Sequence, residues 1–252
     1  GEFGIRTANR RLAGGRGLKT PFGIFYVPNI TPHPEHGLGK WTEADFFHAM
    51  REGLNKEGSH YFPVFPYTTF TAIADDDLKA MFAYLKSIPP ADVPSKAHDV
   101  TFGFGWRFSQ TLWKGLFFEP KRFAPDPAQP ASWNRGAYLV NALAHCGECH
   151  TPRNKLGGLE RDKMFIGTGD GPEGEVAPNI TPDPETGIGK WSAGELTTYL
   201  KSGIAPDGDV AGSLMAEVIE HSTGKLTDQD VAAIVEYVRS LPPVRNKVQR
   251  KK

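Results

Sequence analysis

The sequence predicts a mainly α-helical protein built as two tandem helical domains joined by an aromatic-rich connecting segment. Three observations carry this. A 14-residue block occurs twice at an offset of 150, with 11 identical positions. Each copy is followed by helix patterns with matching start and stop signals. Alternating β-branched runs, the mark of half-buried strands, are scarce.

The elements follow in order. Residues 28 to 41, Pro-Asn-Ile-Thr-Pro-His-Pro-Glu-His-Gly-Leu-Gly-Lys-Trp, recur at 178 to 191 as Pro-Asn-Ile-Thr-Pro-Asp-Pro-Glu-Thr-Gly-Ile-Gly-Lys-Trp. Thr42-Glu43-Ala44-Asp45 and Ser192-Ala193-Gly194-Glu195 then offer a hydroxyl N-cap with a carboxylate three residues on. Gly53 and Gly203 stand where a left-handed glycine would end each helix. A second shared helix covers Asp77 to Ser87 and Asp230 to Ser240, halted by Pro89-Pro90 and Pro242-Pro243. The offset there is 153, so about three residues were gained between the landmarks of the second copy. The expected organisation is a first domain over 1–92, a connecting segment over 93–133, a second domain over 134–245 and a basic tail over 246–252. Phe102, Phe104, Trp106, Phe108, Trp113, Phe117 and Phe118 make the connecting segment too aromatic for a flexible linker, so it is expected to pack between or along the domains.

Composition narrows the function. Of 252 residues 39% are hydrophobic and 23% charged, with 29 basic against 29 acidic residues, as in a soluble globular protein. A nucleic-acid binder needs a basic excess that this chain lacks; only Arg245, Lys247, Arg250, Lys251 and Lys252 are locally basic. No run of 18 apolar residues exists from which a transmembrane helix could be drawn, and the first residues do not read as a signal peptide. Two cysteines form at most one bridge, which excludes a disulfide framework.

Those cysteines are Cys146 and Cys149, followed by His150 in Cys146-Gly147-Glu148-Cys149-His150, a c-type haem attachment signature. Two thiols on one helical turn can add to the two vinyl groups of one haem, and the adjacent histidine reaches the iron from the same turn. The alternatives are a redox-active Cys pair, a structural disulfide or half a zinc site. Zinc wants four ligands and there is no second pair; a thioredoxin-like site wants strands alternating with helices.

With Gly136-Ala137-Tyr138-Leu139-Val140 before that motif, Thr151-Pro152-Arg153 after it and the repeated Pro-Asn-Ile-Thr-Pro block, the chain resembles, over nearly its whole length, the dihaem and multihaem cytochrome c family: periplasmic dihaem cytochromes and the cytochrome c subunits of bacterial membrane-bound alcohol, aldehyde and sugar dehydrogenases. The resemblance implies tandem cytochrome c-like domains, each holding one haem c through His and usually Met. It implies a periplasmic electron carrier, not itself an enzyme, that works between a dehydrogenase catalytic subunit and a quinone or terminal oxidase and is membrane-associated through a partner. On that resemblance Cys146 and Cys149 attach the haem, His150 is the proximal ligand and Met215 the distal one. Met164 is the second choice, and His145 and His221 are weaker. Met50 and Met81 belong to the first repeat. Trp191, Asn179 and Arg153 are candidates for the haem edge or propionates.

The first domain departs from the family. The counterpart of the haem motif falls just before residue 1, or on Glu2 to Thr7 with a shorter loop, where no Cys or His occurs. Met215 corresponds to Phe65, and Ile73 stands where several members carry methionine. One covalent haem is therefore expected, in the second domain, with Phe62, Phe65 and Phe70 filling the space of another. Two rival functions are a catalytic dihaem cytochrome such as a thiosulfate dehydrogenase, and a docking module on a decayed cytochrome domain.

Overall fold

The computed structural model describes residues 11–101 and 109–250. They are mostly helical with one small sheet. The chain divides into two compact units, one up to Arg122 and one from Phe123. The first ten residues, Phe102, Phe104, Trp106 and Phe108 of the aromatic segment, and the last two lysines lie outside the described residues.

The first unit opens with an antiparallel hairpin, β1 (Gly17–Thr20) and β2 (Gly23–Tyr26), to which β3 (Asp99–Val100) adds in the order β1-β2-β3. Sequence patterning did not indicate this sheet, because its strands are only two to four residues long. Its turn is local chemistry: the Thr20 hydroxyl accepts from Phe22 N–H at 3.1 Å and donates to Gly23 carbonyl at 3.0 Å. Helix α1 (Glu43–Glu52) starts on the Thr42–Asp45 capping box and stops at left-handed Gly53, as its sequence predicts. A short α2 (Tyr67–Phe70) and α3 (Asp75–Ser87) follow, with Phe46 of α1 stacked on Phe82 of α3 at 5.1 Å. Buried Arg51 ties the layers together, donating to Thr71 carbonyl at 3.1 Å and to the Asp75 carboxylate.

Helix α4 (Ser109–Phe117), from the aromatic segment, belongs to this unit. Lys114 Nζ donates to Glu52 carbonyl and, at 3.1 Å, to Gly53 carbonyl, the exposed negative end of α1. It also lies over the Tyr67 ring at 4.8 Å, and Phe118 meets Tyr67 edge-on at 5.2 Å. Burial pushes this ammonium down to about 8.

The second unit rests on α5 (Ala131–Tyr138) crossing α9 (Asp228–Arg239). Gly136 makes the close approach possible, since a Cβ there would fall 1.9 Å from Ala233 carbonyl. Around it pack Leu139, Val140, Phe165, Ile234, Tyr237 and Val238. Trp133 meets Tyr237 edge-on at 5.0 Å, and Arg135 grips the Asp230 carboxylate through two bonds of 2.8 and 3.0 Å. A π-helical turn, Leu139–Leu143, leads from α5 into α6 (Cys146–His150). Helix α7 (Ala193–Ser202) repeats the capping box and glycine stop of α1; α8 (Ser213–His221) and α9 complete the unit.

The second shared helix begins two residues before its sequence expectation in both copies, at Asp75 and Asp228. In α9 the reason is Thr227, whose hydroxyl caps Asp230 N–H at 3.1 Å.

Candidate functional site

The asparagine–threonine clamp of the repeated block recurs in both units, and this positions the site. In the second unit Asn179 is buried. Its side-chain oxygen accepts from Thr181 N–H at 2.9 Å and Thr181 hydroxyl at 2.8 Å, while its amide donates to Val244 carbonyl at 2.7 Å and Thr186 hydroxyl at 3.1 Å. In the first unit Asn29 does the same with Thr31 (2.9 and 2.7 Å) and with Ala91 and Val93 carbonyls (2.8 and 2.9 Å). Each asparagine thus clamps its loop to the segment that follows the second shared helix of its unit, α3 in the first and α9 in the second. Asn179 is engaged in holding the backbone.

The second-unit loop carries Pro178, and its carbonyl lies 2.8 Å from His150 Nδ1. A carbonyl only accepts, so Nδ1 carries the proton and the lone pair of a neutral imidazole is on Nε2, the atom that ligates a metal. Burial holds the His150 pKa below its ordinary value, which favours that neutral form. Pro178 is the functional residue that motif reading missed; its signal is its place at the head of the repeated block.

Helix α6 is one turn long and carries both thiols and the imidazole. The two cysteines are unbridged, which sets aside the structural disulfide. Burial pushes the Cys146 thiol up to about 12 and raises Cys149 as well, which favours the protonated thiol at both positions. Glu148 between them is buried and paired with Arg153, whose other arm donates to Gly157 carbonyl at 2.9 Å. Arg153 therefore serves the attachment turn. Trp191 meets Tyr199 edge-on at 5.3 Å and packs against Leu196, Val231 and Val235.

Of the methionines, Met164 is engaged with the attachment helix itself. Its sulfur accepts from the Thr151 hydroxyl at 3.5 Å and its methyl occupies the space beside Gly147. Met50 is buried in the first unit. Met215 stands half-buried in the first turn of α8. His145 precedes α6 in a left-handed conformation (φ 41°), and His221 is exposed at the end of α8. In the first unit Phe62 packs on Phe25 at 5.2 Å, and Phe65 meets Tyr61 and Phe70 at 5.5 and 5.7 Å.

Two free thiols and an oriented imidazole on one turn, backed by an apolar core, fit a covalently attached haem, which defines a c-type cytochrome. The cytochrome c family model matches residues 133–242, the unit that holds this turn. A dihaem cytochrome c-type protein of Cereibacter sphaeroides is 43% identical over 234 residues, covering 92% of this chain and 77% of its own. The chain belongs to the dihaem cytochrome c family. The fructose dehydrogenase cytochrome subunit of Gluconobacter japonicus is 42% identical over 92% of this chain, and the cytochrome c subunit of the quinone-dependent alcohol dehydrogenase of Gluconacetobacter polyoxogenes is 37% identical over 92%. The chain spans about half the length of these two subunits, 47% and 51%. No helix among the described residues is long and apolar enough to cross a membrane.

Proposed function

We propose that the chain is a periplasmic electron-transfer cytochrome c with one haem c in its second unit, attached by Cys146 and Cys149, with His150 as proximal and Met215 as distal ligand. The observation that carries this is the 2.8 Å bond from His150 Nδ1 to Pro178 carbonyl, which directs Nε2 away from the loop as a ligand. When bound, the haem supplies a one-electron Fe(III)/Fe(II) couple. The residues around it do the rest. Pro178 carbonyl fixes the imidazole tautomer and raises its basicity. Arg153 neutralises the buried Glu148 carboxylate between the thiols. Leu139, Val140 and Phe165 keep the attachment turn dry.

The two units read as tandem cytochrome c-like domains, because the clamped loop, the capped helix and the glycine stop recur in both. The first holds no Cys-x-x-Cys-His in this chain. Relatives named as cytochrome subunits of fructose, alcohol and gluconate dehydrogenases support a dehydrogenase catalytic subunit as donor, and the acceptor is read as a quinone or terminal oxidase. The test is a pyridine haemochrome spectrum with an intact mass, recorded on protein matured in a periplasm. The expected increment is one haem per chain; two haems would overturn the count, and none would overturn the reading.

A further inference from the structure

The two units share a loop after the capped helix, closed by the same backbone bonds. In the first, Tyr61 N–H donates to Gly53 carbonyl (2.8 Å) and Asn55 N–H to Ser59 carbonyl (2.9 Å); in the second, Ala211 N–H donates to Gly203 carbonyl (2.8 Å) and Ala205 N–H to Asp209 carbonyl (2.8 Å). Leu54 faces His60 across the first loop, and Ile204 faces Val210 across the second. Opposed residues of an antiparallel pair point to the same side.

In the first unit that side is covered. His60 Nε2 lies 3.0 Å from Thr111 hydroxyl of α4, and Lys114 of α4 donates to the last carbonyls of α1. In the second unit the same side is open. Ile204 is 47% and Val210 68% exposed, and no lysine among the described residues is placed on the equivalent carbonyls of Ser202 and Gly203. The charge differs too. Where the first loop reads Asn55-Lys56-Glu57-Gly58-Ser59, with no net charge, the second reads Ala205-Pro206-Asp207-Gly208-Asp209, with two exposed carboxylates. An apolar pair, a helix C-terminus and an acidic rim together favour a cation set in an apolar surface.

The geometry points to this face of the second unit as a docking site for a short basic amphipathic helix of a partner polypeptide, seated as α4 is on the first unit. One lysine of that helix caps the C-terminus of α7 through Ser202 and Gly203 carbonyls, and its apolar ridge covers Ile204 and Val210. The site ends at Val210, five residues before Met215, so a partner held here lies beside the segment that carries the proposed distal ligand.

The test uses the haem-loaded full chain, reduced to the diamagnetic state, titrated in a backbone amide NMR experiment with a capped peptide of residues 109–122 of this chain. Saturable shifts centred on 203–211 are expected. A Lys114→Gln peptide is expected to bind about tenfold more weakly, the loss of one charged hydrogen bond. Val210→Lys in the protein, which repels the cation at the protein surface, is expected to weaken binding by a similar factor. Shifts confined to 52–61, equal binding of the Gln peptide, or no saturation at millimolar peptide would each overturn the proposal. So would binding to anionic phospholipid vesicles, or self-association, that Val210→Lys abolishes, since the occupant would then be a membrane or a second copy.

Discussion

Replacing Asn179 by alanine should loosen both the fold and the candidate ligand. The side chain is buried and makes four hydrogen bonds, two accepted from Thr181 and two donated to Val244 and Thr186. At roughly 1 kcal/mol net per neutral bond, with some groups left unsatisfied and some finding water, the expected loss is about 2–4 kcal/mol. Thr181→Val removes the hydroxyl that bonds Asn179 and Val244, at a cost of about 1–2 kcal/mol. Because the two share a bond, the double variant should lose about 1 kcal/mol less than the sum. Guanidinium denaturation of the haem-loaded protein reads all three. A second readout follows from Pro178, the neighbour of Asn179: a looser loop weakens the bond to His150 Nδ1, makes the imidazole a poorer donor and raises the reduction potential. Ser192→Ala, which removes the α7 cap for about 1 kcal/mol, is the control and should leave the potential unchanged. A loss below about 1 kcal/mol in Asn179→Ala, strict additivity, or an unmoved potential would refute the reasoning.

Three further outcomes are expected. Met215→Ala should keep the covalent haem, read by mass, and lose the near-infrared charge-transfer band of the oxidised protein; retention of that band would identify another ligand. Gly136→Ala drives a methyl into Ala233 carbonyl and forces α5 off α9, so thermal unfolding should show a loss of about 3 kcal/mol or more, against a gain of up to about 1 kcal/mol for Gly115→Ala, inside α4 where space is open. Hydrogen bonding and charge from Arg135 hold the Asp230 carboxyl below its ordinary value of 3.8. A lowered folded-state pKa stabilises above the unfolded value and is lost as pH falls below it, so Arg135→Gln should shift acid unfolding to higher pH while that midpoint moves little in a Lys190→Gln variant.

Local chemistry explains which parts were legible in the sequence. The capping boxes at Thr42 and Ser192 and the stops at Gly53 and Gly203 each depend on residues within one helix, so adjacent letters specify them. The turn Cys146–His150, with the three proposed haem-binding side chains in five residues, is local as well. The rest depends on distant partners. Pro178 meets His150 across 28 residues through a backbone carbonyl, an atom every residue has. The membership of α4 in the first unit rests on Lys114 reaching Gly53, 61 residues away, which no local pattern encodes. Asn179 is a polar group whose role shows only in its bond to Val244, 65 residues away, and the Arg153 bonds to Glu148 and Gly157, though close in the chain, depend on a folded loop rather than on a helix period.

The clamp on the second loop also fixes an order of events. His150 is oriented by Pro178, and the adjacent Asn179 is fastened to Val244, 65 residues further on and beyond the last helix. Closing so long a loop is entropically unfavourable until α9 has docked on α5. Cys146 and Cys149 precede Val244 in the chain, so on the proposed function their thiols can be captured before the strap at Val244 has closed. On that reading, covalent capture and final alignment of the imidazole are separable in time. A chain shortened ahead of Val244 would carry its haem with the histidine no longer locked in place, a maturation defect visible as a correct mass with an incorrect spectrum.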